Sequence, residues 1–322
     1  MKAIQIRSIG GPEVLSYVDL PDPSPGPGQA LIRVESAGVN FIDVYHRTGL
    51  YTLPLPLVPG SEGAGTVLAV GDGVTDVRAG DRVAWADVTG SYAELIVAPV
   101  DRLVPVNPTV SSADAAALML QGITAHYLAT STFPLAPGHI CLIHAAAGGT
   151  GMLLCQIAAR RGARVIATVS TAAKAALART AGASEVILYT EQDFAAETRR
   201  LTDGAGVDVV YDSVGKTTFE VGLGVLKPRG VMVLFGQSSG VVPPFSPSLL
   251  AQHGSLFMTR PRMGDYVRGR AALVERVTDL QNWVAAGWLT TRISGTWPLA
   301  DAARAHQSLE GRATTGKLLL TP

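Results

Sequence analysis

The sequence predicts an α/β protein made of a doubly wound parallel sheet and a second, β-rich domain. Three observations carry that expectation. An apolar run enters a glycine-rich turn at Leu142-Ile-His-Ala-Ala-Ala-Gly-Gly-Thr-Gly151. Short apolar runs alternate with helical segments after it. The first 120 residues have a different texture, punctuated by Gly and Pro. At 322 residues the chain is long enough for two domains.

In chain order, short strands are expected at Ala3–Ile6, Leu15–Val18, Ala30–Val34, Thr66–Val70, Arg82–Trp85 and Ala93–Val97. Their Gly and Pro boundaries suggest a barrel-like β domain. Pro21-Asp-Pro-Ser-Pro-Gly-Pro27 reads as a stiff surface connector, and Phe41–Arg47 as the one helix of this region. The most apolar stretch, Ala113–Ala129, is interrupted by Asp114, Gln121 and His126. It reads as a core helix, because a membrane span needs about 18 or more uninterrupted apolar residues.

Cys141–His144 follows as a buried strand and Gly149–Arg160 as an amphipathic helix. The turn between them aims backbone N–H groups and a positive helix end at one spot, which suits a dinucleotide pyrophosphate. Against G-x-G-x-x-G the chain reads Ala146-x-Gly148-x-x-Gly151, with alanine for the first glycine. Gly148 allows close approach of the pyrophosphate, and Gly151 lets helix pack on strand. Ala163–Val169 completes a βαβ unit, followed by strands at Glu185–Tyr189, Val207–Asp212, Val231–Phe235 and Leu256–Met258. Helices at Lys174–Ala181, Phe194–Thr202 and Thr218–Leu226 separate the first of these. Six strands in this alternation describe a Rossmann-type sheet. A helix at Leu273–Ala286 and a last strand, Lys317–Leu320, are more than that sheet needs. The expected division is 1–121 with 262–322 for a discontinuous β-rich catalytic domain, and 122–261 for the dinucleotide-binding domain.

Lys plus Arg and Asp plus Glu are equal at 26 each, so formal charge is zero and nothing electrostatic recruits nucleic acid or an anionic membrane. The start, Met1-Lys-Ala-Ile-Gln-Ile-Arg7, has no apolar targeting core, and a cytoplasmic protein is expected. The two cysteines, Cys141 and Cys155, read as core residues on a facing strand and helix. The six histidines (His46, His126, His139, His144, His253 and His306) show no metal-ligand spacing, and no metal site is expected.

The end of the second strand of the βαβ unit selects the cofactor. NAD-binding folds place Asp or Glu about twenty residues after the glycines. Here Thr168-Val169-Ser170-Thr171 offers no carboxylate, whereas Ser170, Thr171 and Lys174 can bind a 2′-phosphate. NADPH is therefore favoured.

Several further motifs occur in fixed order: Gly10-Gly-Pro-Glu-Val-Leu15, Ala37-Gly-Val-Asn-Phe-Ile-Asp43, Pro59-Gly-Ser-Glu-Gly-Ala-Gly65, Ala79-Gly-Asp-Arg-Val83, His144-Ala-Ala-Ala-Gly-Gly149 and Val209-Val-Tyr-Asp-Ser-Val-Gly215. With them the chain resembles, over essentially its whole length, the zinc-independent, zeta-crystallin-like quinone oxidoreductases of the medium-chain dehydrogenase/reductase superfamily. The resemblance implies a GroES-like β-rich domain, a C-terminal segment returning to it, an interdomain cleft for NADPH and quinone, and a homodimer. Zinc-dependent relatives carry ligands where this chain has Asn40 and Ser61. Without a Lewis acid, alcohol oxidation is disfavoured. Quinone reduction depends mainly on positioning, because hydride arrival yields an aromatic phenolate.

The resemblance also implies site roles. Asn40, Asp43, Tyr45 and Tyr51 form the catalytic side, with Phe41 and Ile42 beside the nicotinamide. Thr124 and Tyr127 contact cofactor, Gly148, Gly149 and Thr150 hold the pyrophosphate, and Ser170, Thr171 and Lys174 hold the 2′-phosphate. Tyr189 lies near adenine. Ser213, Phe235, Gly236, Gln237, Ser238, Arg260, Pro261, Arg262 and Arg312 complete the cofactor site, with Gln237 replacing the Asn usual in the family. The segment Phe235–Phe245 is the expected dimer contact. Three readings stand: NADPH:quinone reduction; a zinc-free, NADPH-dependent reductase of α,β-unsaturated ketones or aldehydes; and a non-enzymatic crystallin-like or RNA-binding role.

Overall fold

Apolar alternation shapes the first elements of the computed structural model, which describes residues 1–322. β1 (Lys2–Gln5) pairs antiparallel with β2 (Ser16–Asp19). In β3 (Gln29–Val39), Ala30, Ile32 and Val34 point inward at the two-residue period of a strand. α1 (Phe41–Thr48) starts where the Asp43 carboxylate accepts from the Asn40 backbone N–H at 2.9 Å, half of a capping box, and stops at left-handed Gly49. β4 (Glu62–Val70), β5 (Arg82–Ala86), β6 (Leu95–Pro99) and β7 (Leu103–Pro105) follow, then α2 (Ser112–Tyr127).

The strand–turn–helix series comes next. It comprises β8 (Ile140–Ile143), α3 (Gly149–Arg160), β9 (Arg164–Val169), α4 (Ala172–Thr180) and β10 (Glu185–Leu188), then α5 (Phe194–Leu201), β11 (Val207–Asp212) and α6 (Phe219–Leu223). β12 (Leu226–Leu234), α7 (Ser248–Gln252) and β13 (Phe257–Thr259) complete it. Every pair in this sheet is parallel, in the order β10-β9-β8-β11-β12-β13. Written by position in the series this is 3-2-1-4-5-6, the doubly wound dinucleotide order. The strand order reverses between β8 and β11, the switch point of the sheet, and the glycine turn lies at the carboxyl end of β8. Leu142, Ile166, Ile187, Val210 and Met232 form its core with Phe219 and Leu223.

Several boundaries differ from the sequence expectation: β3 runs on to Val39, β4 begins at Glu62 and the last long helix at Arg270, and two others differ for a local reason. The helix expected over Thr218–Leu226 is shorter, and β12 begins five residues earlier than expected, at Leu226 instead of Val231. Val207 faces Leu226 but Val209 faces Val231, so Lys227–Gly230 bulges out of the ladder, with Arg229 at φ 65° between Pro228 and Gly230.

The chain continues through α8 (Met263–Tyr266), α9 (Arg270–Ala285), β14 (Ile293–Pro298), α10 (Ala302–Glu310) and β15 (Lys317–Thr321). β15 pairs antiparallel with the end of β3 through Leu318↔Val39, and β14 runs parallel to β15. The resulting sheet has the order β14-β15-β3-β4-β5-β7, with β6 on the first half of β3. Trp85, Tyr92, Ile32 and Leu103 fill its core. Contacts divide the chain into Met1–Ile123 with Tyr266–Pro322, and Thr124–Asp265. The C-terminal segment therefore belongs to the β-rich unit.

Candidate active site

In the parallel-sheet unit the glycine turn is tight. Ala145 is left-handed at φ 51° and the Gly148 N–H donates to its carbonyl at 2.9 Å. Gly148 caps α3 with extended backbone, so the N–H groups of Gly149, Thr150 and Gly151 form a helix start without intrahelical acceptors. A methyl at Gly151 would meet the Ala145 carbonyl oxygen and lie 2.8 Å from Ala146 Cα, so only glycine fits there. Such a start suits a phosphate.

The carboxyl ends of β9 and β10 bring the expected 2′-phosphate residues together. Tyr189 N–H donates to Val169 O at 3.1 Å, and Thr190 Oγ1 to Ser170 O at 3.0 Å. Thr171 caps α4 by accepting from the Lys174 N–H at 3.3 Å, which leaves its hydroxyl proton free to donate. Burial holds the Lys174 ammonium below the usual lysine range. An anionic partner would offset that cost. Tyr189 is 47 % exposed, open to stacking.

β11 and β12 end side by side. The N–H groups of Phe235 and Gly236 both donate to Asp212 O, at 2.8 and 3.3 Å, and Ser238 N–H to Ser213 O at 3.2 Å. Gly236 permits this: a Cβ there would be 2.6 Å from Ser213 O. Ser213, Phe235, Gly236, Gln237 and Ser238 are thus one cluster. Arg260, Pro261 and Arg262 follow β13 at the same end of the sheet, with both arginines exposed and the proline buried. Thr124 and Tyr127, on the last turn of α2, are buried. Arg312 lies in the other unit, in the turn after α10 at φ 56°.

In the β-rich unit, α1 carries an aromatic group. Tyr45 meets Tyr51 edge to face at 5.3 Å between ring centroids and Phe41 at 6.2 Å, and Ile42 is half-buried beside them. Behind them lies a buried polar network. Asp43 is fully enclosed, and its carboxylate accepts from Asn40 N–H at 2.9 Å, Ser61 Oγ at 3.1 Å and Tyr92 OH at 3.0 Å. Burial outweighs those hydrogen bonds and pushes the carboxyl up to about 7.

The network has a direction. Arg47, 1 % exposed, grips Glu310 at 2.8 and 2.9 Å and donates to His306 Nδ1 at 3.1 Å. Guanidinium only donates, so His306 carries its proton on Nε2 and gives it to Tyr92 O at 3.1 Å. The Tyr92 hydroxyl proton is then free for Asp43. Burial, with Arg47 beside it, lowers His306 to about 3, consistent with a neutral ring.

Asn40 and Ser61 are 4 % and 5 % exposed and committed to protein partners. No group of three or more His, Cys, Asp or Glu side chains that could hold a metal ion occurs. Sequence reasoning missed Arg47, Glu62, Tyr92, Gln121, His306 and Lys317. The available signal was the charge of Glu62 and Lys317 at the heads of otherwise largely apolar strands.

Comparison with known proteins agrees with this architecture. The alcohol dehydrogenase GroES-like domain matches residues 26–108 and the zinc-binding dehydrogenase domain residues 149–276. That pairing on this fold defines a medium-chain dehydrogenase/reductase. Quinone oxidoreductase of Pseudomonas aeruginosa is 45% identical over 100% of this chain and 99% of its own. A 2-haloacrylate reductase from a Burkholderia species is 42% identical over 99% and 98%. The crystal structure of Escherichia coli quinone oxidoreductase complexed with NADPH superposes with a TM-score of 0.98 at 41% identity, covering 100% of both chains. The chain belongs to the zinc-independent quinone oxidoreductase family.

Proposed function

We propose that this protein reduces quinones with NADPH, without a metal. The observation that carries the reading is the glycine turn at the switch point of a parallel sheet, in a chain that superposes along its whole length on a quinone oxidoreductase holding NADPH. Bound NADPH supplies the hydride.

The residues then divide the remaining work. Gly148, Gly149 and Thr150 bind the pyrophosphate, and Ser170, Thr171 and Lys174 select the 2′-phosphate with Tyr189 beside the adenine. Ser213, the Phe235–Ser238 cluster, Thr124, Tyr127, Arg260, Pro261, Arg262 and Arg312 fix the rest of the cofactor, and Phe41 and Ile42 border the nicotinamide. Tyr45 and Tyr51 stack against the quinone, while Asn40 and Asp43 hold α1 in place beneath them. The product phenolate takes its proton from water, since its basicity resembles that of tyrosine. Asn40 and Ser61 offer none of the Cys, His or carboxylate ligands that Zn²⁺ prefers, and both are already bonded within the protein.

A panel of 1,4-benzoquinone, 9,10-phenanthrenequinone, simple enones and 2-chloroacrylate with NADPH tests the reading. Quinones should be turned over fastest. A clear preference for the enones or for 2-chloroacrylate would replace it with reduction of an activated carbon–carbon double bond, which the 42% identity to 2-haloacrylate reductase keeps in view.

The same proposal places the protein in the cytoplasm as a homodimer. Both cysteines are free and buried, and no helix is long and apolar enough to cross a membrane. β13 is an edge strand with Phe257 59% exposed, near Val241 at 53% and Phe245 at 37% in sequence, a surface suited to a second copy. Light scattering at micromolar concentration should give twice the chain mass.

A further inference from the structure

The Asn40 carboxamide has two donors and two acceptor sites, and all four are filled. Nδ2 donates to Glu62 Oε1 at 2.6 Å and to Gly38 O at 3.4 Å. Oδ1 accepts from Lys317 Nζ at 2.8 Å and from Gln121 Nε2 at 3.2 Å. Nothing is left over for a substrate. Lys317 is equally committed, to Glu62 Oε1, Asn40 Oδ1 and Val39 O. The second Glu62 oxygen accepts from the Leu120 backbone N–H, in the middle of α2, at 2.5 Å. Gly38 makes room for this, since a side chain there would collide with the Glu62 carboxylate.

Glu62 is 0 % and Lys317 2 % exposed. A buried ion pair is often no more stabilising than apolar residues of the same volume, so stability alone does not explain it. Its geometry suggests another use. The pair binds three elements at once: the start of α1 through Asn40, the middle of α2 through Leu120, and the last strand through Lys317, and Gln121 adds a second tie from α2 to Asn40. α1 goes on to Tyr45, and α2 to Thr124 and Tyr127.

We propose that Glu62 and Lys317 are positioning residues, which lock the start of α1 to the middle of α2 so that substrate-side and cofactor-side groups are held in the geometry hydride transfer requires. This rests on the reading of the chain as a hydride-transfer enzyme. Orientation is where such an enzyme gains most, and displacement of a group by about 1 Å costs on the order of 100-fold in rate.

The test is the double substitution Glu62→Gln with Lys317→Met in the full-length protein, which removes both charges and leaves no buried ion uncompensated. Gln121→Leu, which removes one bond to Asn40 at a half-buried position, is the milder companion should the double variant fail to fold. Hydrogen exchange read by mass spectrometry should rise at least about 10-fold in peptides covering 37–48 and 112–127 and stay within about 2-fold elsewhere, the signature of local opening. Quinone kcat should fall about 10- to 100-fold for the double variant and about 3-fold for Gln121→Leu, with KM and the NADPH Kd within about 3-fold. The isotope effect from 4-deuterated NADPH should rise as hydride transfer becomes slower. Unchanged exchange in both peptides, or exchange that rises uniformly over the chain, overturns the inference. So does a variant with lost exchange protection but wild-type kcat and isotope effect. Failure of the wild type to reduce any quinone would instead overturn the functional reading, and hydrogen exchange would still decide whether the pair holds α1 to α2.

Discussion

Gly148 and Gly151 sit three residues apart in one turn, yet alanine at each should fail differently. At Gly151 the added methyl would lie 2.8 Å from Ala146 Cα, against an ordinary lower limit of 3.4 Å, so α3 must retreat by about 0.6 Å from a close-packed backbone. The Ala145 carbonyl oxygen is closer still. Because the colliding atoms are backbone, overpacking should cost toward the upper end of about 1–3 kcal/mol. Helix propensity returns about 1 kcal/mol, which leaves a net loss near 2 kcal/mol. For a chain of 322 residues that is a fall in Tm of about 3 °C.

At Gly148 the nearest atom to the methyl is Ala145 O at 3.2 Å, and φ is −76°, which any residue adopts. The protein should tolerate that change within about 0.5 kcal/mol, as it tolerates most substitutions without a steric conflict. NADPH should not, because its pyrophosphate needs the space. Fluorescence titration should show affinity reduced about 10- to 100-fold for Gly148→Ala, or about 1.4–2.7 kcal/mol, with Tm of the free protein unchanged. Gly151→Ala should lose both stability and about 10-fold in affinity, through the displaced helix start. Equal Tm losses in the two variants, or wild-type affinity in Gly148→Ala, would refute the assignment of the turn.

Three further outcomes follow from other parts of the structure. Lys174→Ala should weaken NADPH by about 10-fold, as expected for a lost charge-assisted hydrogen bond, and leave NADH unchanged; equal losses for both would remove Lys174 from the 2′-phosphate site. The Asp43 carboxyl is raised from 3.8 to about 7, so the native state holds a proton that the unfolded chain gives up, and stability should fall as pH rises from about 4 to about 7, by at most about 1.4 kcal/mol per unit. Urea denaturation should show that slope flattened in Asp43→Asn, and a slope equal to wild type would assign it elsewhere. Tyr92→Phe strands the His306 Nε2–H and removes one of the two hydrogen bonds to Asp43 Oδ2, and should cost about 2–4 kcal/mol in the same assay, whereas a loss under 1 kcal/mol would mean that His306 finds a new partner.

The parallel-sheet unit was legible because its strands are buried on both faces and so read as continuous apolar runs between glycine turns. Cys141–His144 and Ala163–Val169 were each placed within one residue of β8 and β9. The β-rich unit was harder. Ile293–Pro298 includes Gly295 and ends on Pro298, residues that argue against a strand when read alone, yet β14 forms there because β15 supplies a partner. α10 spans only nine residues, and its start signal, Asp301 just before Ala302, is a single residue. For the candidate site, the glycines and the 2′-phosphate residues lie within one βαβ stretch and could be read locally. The network behind α1 could not, since Arg47 meets His306 across 259 residues of sequence and Asn40 meets Lys317 across 277.

That separation gives the C-terminal return a chemical meaning. Asn40, Asp43, Arg47 and Glu62 are all contributed before residue 63, and by themselves they would bury two carboxylates against one guanidinium. An unpaired buried carboxylate is expensive enough to unfold its surroundings or take up a proton. Lys317 on β15 neutralises Glu62, while His306 and Glu310 on α10 saturate Arg47 and pass a hydrogen bond on to Asp43 through Tyr92. The elements that close the sheet therefore also supply the partners of the buried Glu62 and Arg47. The ground under Tyr45 cannot be finished until the last strand has paired with β3.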